Sequence, residues 1–193
     1  MFEWSEKFET HIEIVDTQHK KLVALINQLC QGIETHSLSE DVINTIFMEL
    51  VEYAEKHFSD EEQLMLEIQV SEKHTSLHKM EHHSFIYDIE RMRNYFSPDT
   101  DIIESGERLL QFIIAWLTYH ILGMDQMMAA QIHDIKQGIS PDKSYELHKK
   151  GECDITTTRL LFNAVLKMWK QCNEHCHQLE RELASLKGFQ NKD

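Results

Sequence analysis

Residues 57–65 read His57-Phe58-Ser59-Asp60-Glu61-Glu62-Gln63-Leu64-Met65, and this stretch decides the fold. On an α-helix residues four apart stand one above the other, so His57 and Glu61 project from one face, within reach of a single metal pair. Upstream, Ile43, Ile46, Phe47, Leu50, Tyr53, Ala54 and Phe58 form the apolar face of the same helix. Ser39 caps that helix with Asp41 in its first turn, and it runs to about Glu67.

Working outward, three further segments carry helical spacing. Asp16 or Thr17 caps a first helix with Leu22, Leu25, Ile26 and Leu29, which ends between Gly32 and Ser37. A third helix spans about Ser71 to Tyr95 with Leu77, Phe85, Ile89 and Met92, and Ser97-Pro98-Asp99 punctuates it. A fourth, from about Asp101 to Lys136, carries Ile102, Leu109, Phe112, Ile113, Trp116, Leu117 and Ile121 and closes at Gly138 before a second Ser-Pro-Asp turn. Short loops between helices imply antiparallel neighbours, so residues 1–137 are expected to form an all-α, up-down four-helix bundle. An N-terminal arm, Phe2 to Val15, with Phe2, Trp4, Phe8, Ile12 and Ile14, is expected to lie extended across helix ends.

Residues 138–154 read as a linker to a C-terminal helix over 155–193. There Phe162, Trp169, Cys176 and Leu183 occupy a positions, and Val165, Cys172, Leu179 and Leu186 occupy d positions, of a narrow heptad seam. That seam suits a two-stranded coiled coil, hence a homodimer; the alternative is a fifth helix docked on the bundle.

Composition excludes several classes of partner. Only two prolines and six glycines occur in 193 residues, and alternating Val-rich runs are missing, as in an all-helical chain. A formal charge of −14, from 33 acidic against 19 basic side chains, opposes binding to nucleic acid or anionic membrane surfaces. Neither a signal peptide nor a membrane-spanning run is legible, which places the chain in the cytoplasm. Cys30, Cys153, Cys172 and Cys176 lack the spacing of a structural zinc site and read as reduced thiols.

Thirteen histidines are the most informative feature of the composition. Beside His57 and Glu61, the third helix offers His78 and His82 at the same spacing within His78-Lys79-Met80-Glu81-His82. His19 follows Gln18 in the first helix, and the fourth holds His120 and Asp125. The last pair is awkward, because five residues leave the side chains about 140° apart on an ideal helix. A local distortion near Gly123 would bring both inward. Imidazole with bridging carboxylate and no thiolate suits iron, manganese or zinc, and a shared carboxylate offsets the repulsion of two cations.

The chain resembles the hemerythrin family across roughly residues 1–135. The likeness rests on Trp4, Asp16-Thr17-Gln18-His19-Lys20-Lys21-Leu22, Leu25-Ile26-Asn27, residues 57–65, His78-Lys79-Met80-Glu81-His82-His83-Ser84-Phe85, and Trp116-Leu117-Thr118-Tyr119-His120-Ile121-Leu122-Gly123-Met124-Asp125. It implies two iron ions in an oxo- or hydroxo-bridged non-haem centre. His78, His82 and His120 would saturate one iron, His19 and His57 would hold the other, and Glu61 and Asp125 would bridge them. The iron with two histidines would keep an open position for dioxygen or another small oxidant. Val70-Ser71 stand where many members have Tyr-Pro, and the interval from Glu61 to His78 is longer than usual. His74 and His78 form a competing pair, but His82 followed by Phe85 matches the family better. His11 is expected outside the site, and His36, His83, His133 and His148 on helix surfaces.

Three functions compete. A sensory domain would pass ligand binding or oxidation through the C-terminal helix to an output, such as a diguanylate cyclase in a longer parent protein. A stand-alone oxygen carrier or store needs only the bundle. A di-iron oxidase or peroxidase of ferritin-like type would use Glu-x-x-His on two helices, whereas this chain has that motif only at Glu174 to His177, outside the bundle. The chain itself is therefore not expected to be an enzyme.

Overall fold

The computed structural model describes residues 2, 4–94 and 101–149. The heptad stretch 155–193, with Cys172 and Cys176, lies outside the described residues, as does Cys153. Within them the chain is all-helical: α1 Glu13–Glu34, α2 Glu40–Ile68, α3 Glu72–Asn94, α4 Ile102–Tyr119, a π-helical turn His120–Asp125, α5 Gln126–Lys136 and α6 Pro141–His148. α1, α2, α3 and the run from α4 through α5 are the four members of the antiparallel bundle.

Side-chain caps set the starts of α2 and α4. Ser39 Oγ accepts from the Val42 amide at 3.3 Å, and the Asp101 carboxylate accepts from the Ile103 and Glu104 amides at 2.8 and 3.3 Å. Asp16, expected with Thr17 as the alternative cap of α1, lies instead in its first turn, after Ile12. Its carboxylate accepts from the Thr10 amide at 2.7 Å and the Thr10 hydroxyl at 2.9 Å, tying the arm to the helix. An acidic residue near a helix start is favourable both as a cap and in the first turn, and the arm decided between them.

The arm contains a 3₁₀ turn, Glu6–Phe8, and runs along α1 rather than across helix ends. Asn27, in the second half of α1, donates to the Phe2 carbonyl at 3.0 Å and accepts from the Phe2 amide at 2.7 Å. The stretch read as a linker also holds structure. Gly138, at φ 88°, ends α5, Pro141 opens α6 at its first turn, and α6 docks on α5. Ser144 Oγ donates to Asp134 Oδ2 at 2.8 Å, and His148 Nε2 lies 2.9 Å from the same oxygen.

Two apolar clusters sandwich a polar layer. The larger includes Leu22, Ile26 and Leu29 of α1, Phe47, Leu50, Ala54 and Phe58 of α2, Phe85 and Ile89 of α3, and Ile113, Leu117 and Ile121 of the fourth segment. The smaller comprises Val15, Met65, Val70, Met128 and Ile132. Along each bundle member the buried histidines and carboxylates fall between residues of one cluster and residues of the other, Val70 serving as the second-cluster residue just ahead of α3. Burial on both sides thus holds the polar layer at a fixed level of the bundle.

α2 closes with Gln69 in the left-handed region, φ 61° and ψ 48°, and the Val70 amide donates to the Met65 carbonyl at 2.9 Å. A side chain there costs about 1 kcal/mol against glycine, partly offset by the greater entropy of glycine in the unfolded chain. Gln69→Gly is therefore expected to stabilise the metal-free protein by about 0.5–1 kcal/mol, read as a thermal midpoint raised by a few degrees.

Candidate metal centre

Each bundle helix delivers its polar residues to the same level. His19 comes from α1, His57 and Glu61 from α2, His78 and His82 from α3, and His120 and Asp125 from the π turn; all are 2% exposed or less. The π turn resolves the awkward spacing. Its wider winding places residues five apart near one line, as four apart lie on an α-helix, and His120 Nε2 comes within 3.2 Å of Asp125 Oδ1. Gly123 sits inside this turn without a left-handed φ.

The side chains form two overlapping groups able to hold a cation: Glu61, His78, His82 and His120, and His19, His57, Glu61 and Asp125. Glu61 spans them, with Oε1 3.7 Å from His57 Nε2 and Oε2 3.2 and 3.5 Å from His82 and His78 Nε2. Asp125 spans them too, with Oδ2 3.1 Å from His19 Nε2 and Oδ1 3.2 Å from both His78 and His120 Nε2. His74 belongs to neither group. It lies buried behind His78, with Nε2 at 3.3 Å from His78 Nδ1, so the structure gathers the His78 and His82 pair.

Residues present fit a cation pair. Both oxygens of Glu61 and of Asp125, and both ring nitrogens of His19, are buried without an aligned hydrogen bond, although they lie at contact distance from one another. His120 Nε2 lies 3.0 Å from His78 Nε2 and 3.2 Å from His82 Nε2. Three ring nitrogens turned toward one another suit ligands around one ion, because two nitrogens about 2.1 Å from a metal and at right angles lie about 3 Å apart. Leaving such groups buried and unpaired would be costly.

Electrostatics tell the same story. Burial and the adjacent Asp125 push Glu61 up, yet His57, His78 and His82 outweigh them and hold it well below the usual carboxylate range. Burial likewise opposes ionisation of Asp125, but His120, His19 and His78 hold it low. Burial depresses His57 and His120. It also opposes the charged form of His78, but Asp125 and Glu61 prevail and raise it to about 9. Burial and the neighbouring His78 lower His74 to about 3.

An outer layer orients the rings. His57 Nδ1 donates to Gln18 Oε1 at 2.9 Å, Gln18 Nε2 donates to Asp60 Oδ2 at 2.6 Å, and Lys56 pairs with Asp60 Oδ1 at 2.5 Å. His82 Nδ1 donates to Glu62 Oε1 at 3.1 Å, and Lys79 lies 3.3 Å from Glu62 Oε2. Such contacts select the tautomer that leaves Nε2 free to face the centre. Aromatic rings support the same histidines: Phe58 stacks on His82 at 3.9 Å and Trp116 on His120 at 4.1 Å between ring centres. Tyr53 stacks on His57 at 5.4 Å, and Trp4 of the arm lies 6.0 Å from His19.

The sequence places Phe58, Tyr53 and Trp116 on apolar faces and by itself assigns no part to Glu62, Asp60 or Gln18. The i, i+4 offset from Phe58 to Glu62 was a visible signal, whereas the reach of Gln18 to α2 was not. His11, His36, His83 and His133 are exposed and His148 half-buried, all outside the cluster.

The chain belongs to the hemerythrin family. Residues 10–132 match the family of the hemerythrin HHE cation binding domain. A bacteriohemerythrin of Clostridium acetobutylicum is 35% identical over 128 residues, covering 65% of this chain and 97% of the relative. A bacteriohemerythrin of Pseudomonas aeruginosa is 30% identical over 145 residues, 73% of this chain and 88% of the relative. A hemerythrin-like protein of Naegleria gruberi is 30% identical over 124 residues, 64% and 87% of the two chains. The family and the clustered donors make this a di-iron, oxygen-binding domain. No helix among the described residues is long and apolar enough to cross a membrane.

Because His78 is held up near 9 in the metal-free protein, it carries a proton at neutral pH that a bound cation must displace. Zinc or ferrous ion is expected to release protons on binding at neutral pH, with less released as the pH rises through about 9. Calorimetry in buffers of different ionisation enthalpy measures this.

Proposed function

We propose that the chain is an oxygen- or redox-responsive sensory domain, in which His78, His82 and His120 hold one iron, His19 and His57 hold the other, and Glu61 and Asp125 bridge them. The carrying observation is the placement of both carboxylates, each with one oxygen toward one histidine group and the other toward the second. When bound, the iron pair supplies electrons to a small oxidant such as dioxygen. The iron held by two histidines would keep an open position for that ligand, and the rings of Trp4 and Tyr53 flank His19 and His57. The outer carboxylates and Gln18 keep the rings oriented without entering the centre.

The experiment is iron content, the optical spectrum before and after air, and magnetic coupling, each in the wild type and in variants. About two irons per chain are expected from the two donor groups. Glu61→Ala and Asp125→Ala are expected to lose the coupled pair, whereas His36→Ala keeps it. Coupling retained in both carboxylate variants would remove the bridge assignment.

The sensory part of the proposal is supported by α6. This helix follows the segment that carries Asp125, is pinned to Asp134 of α5 through Ser144 and His148, and reaches the start of α3 through Asp142 and Ser71 at 3.3 Å and Glu146 and Lys73 at 3.6 Å. A shift of the π turn or of α3 would therefore reach the chain that leads to residues 155–193. Amide exchange across 141–148 is expected to differ between reduced and air-oxidised protein, and Asp134→Ala is expected to erase the difference by freeing α6. Equal exchange in both oxidation states favours the second reading, a carrier or store, which needs only the bundle.

A further inference from the structure

Among the buried histidines His74 alone lies outside both donor groups, and three observations about it converge. It is 1% exposed, its Nε2 lies 3.3 Å from His78 Nδ1, and its own Nδ1 is buried without a protein partner. His78 Nε2 meanwhile faces the centre, 3.2 Å from Asp125 Oδ1 and 3.0 Å from His120 Nε2.

We propose that His74 is a positioning residue for His78, accepting the Nδ1 proton and so holding the ring in the tautomer and orientation that present Nε2 to metal. This rests on His78 being a ligand. The direction of the bond follows from chemistry: were His74 Nε2 the donor, a neutral His78 would carry its proton on Nε2 and could not ligate. A neutral acceptor suits this place. Glu62, which serves His82, is 27% exposed and paired with Lys79, whereas His78 is fully buried beside two carboxylates. A third carboxylate there would add buried negative charge with no lysine to balance it among the contacts of His74. The other nitrogen of His74, the buried Nδ1, then bears that ring's own proton.

The test uses the full chain and zinc as the probe, by competition with a chelator. His74→Leu is expected to weaken zinc binding by about 10- to 100-fold, the usual effect of losing an outer partner of a ligand histidine. His74→Gln, whose amide oxygen falls near the place of Nε2, is expected to recover most of that loss. In zinc-loaded protein with ¹⁵N-labelled histidine, the His78 Nδ1–H signal should shift and exchange faster with water in His74→Leu but not in His74→Gln. Thermal melts of the metal-free variants show that each is folded. Wild-type affinity in His74→Leu, or equal weakening in Leu and Gln variants with an unmoved His78 signal, overturns the positioning role. His78→Ala is the separate control: if it binds zinc at wild-type stoichiometry and affinity, it is the ligand assignment of His78 that fails.

Discussion

Two carboxylates, Glu61 and Asp125, stand at 0% exposure in the middle of the bundle, and the rest of the structure is organised around that burden. Taking them out of water without compensation would cost several kcal/mol each. Imidazoles from all four helices surround them, yet their oxygens and the ring nitrogens meet without aligned hydrogen bonds. A cation pair satisfies both kinds of group at once. Folding and metal binding are therefore linked, because the groups that most disfavour burial are those a bound ion stabilises.

Around this layer the bundle varies how each histidine is held. His57 is anchored through Gln18 and Asp60 to Lys56, and His82 through Glu62 to Lys79. His78 leans on a buried neutral ring, while His120 is steadied by the Trp116 face and leaves Nδ1 without a partner. A ligand backed by a carboxylate is more basic than one backed by a neutral acceptor. The rings of the three-histidine group are thus chemically unequal, although all three turn Nε2 toward one another.

The same economy of contacts serves the helix that follows the bundle. α6 is short, and its grip depends on a few polar pairs rather than on a broad apolar face. Asp134 accepts from Ser144 and His148, and burial of Tyr145 at 7% exposure adds apolar area. A short helix at the edge of the bundle, held by a few polar pairs, opens at lower free energy than the core. Its attachment to both α5 and the start of α3 puts it downstream of Asp125 on one side and beside the His74–His78 helix on the other.

Local periodicity made much of this legible in the chain alone. Residues four apart on a helix share a face by covalent geometry, so His57 could be paired with Glu61 and His78 with either His74 or His82, and the resemblance favoured His82. The same arithmetic showed that His120 and Asp125 needed a distortion, and the π turn supplies it. Ser39 was readable as a cap because capping involves only neighbours. Where partners lie on different elements, only tertiary structure decided: the Asn27 clasp on the arm, Asp16 as the anchor of Thr10, the reach of Gln18 to His57, and the docking on α5 of α6, which forms within the stretch read as linker. The physical reason is that helix periodicity determines which side chains share a face, whereas packing determines which faces meet and at what level.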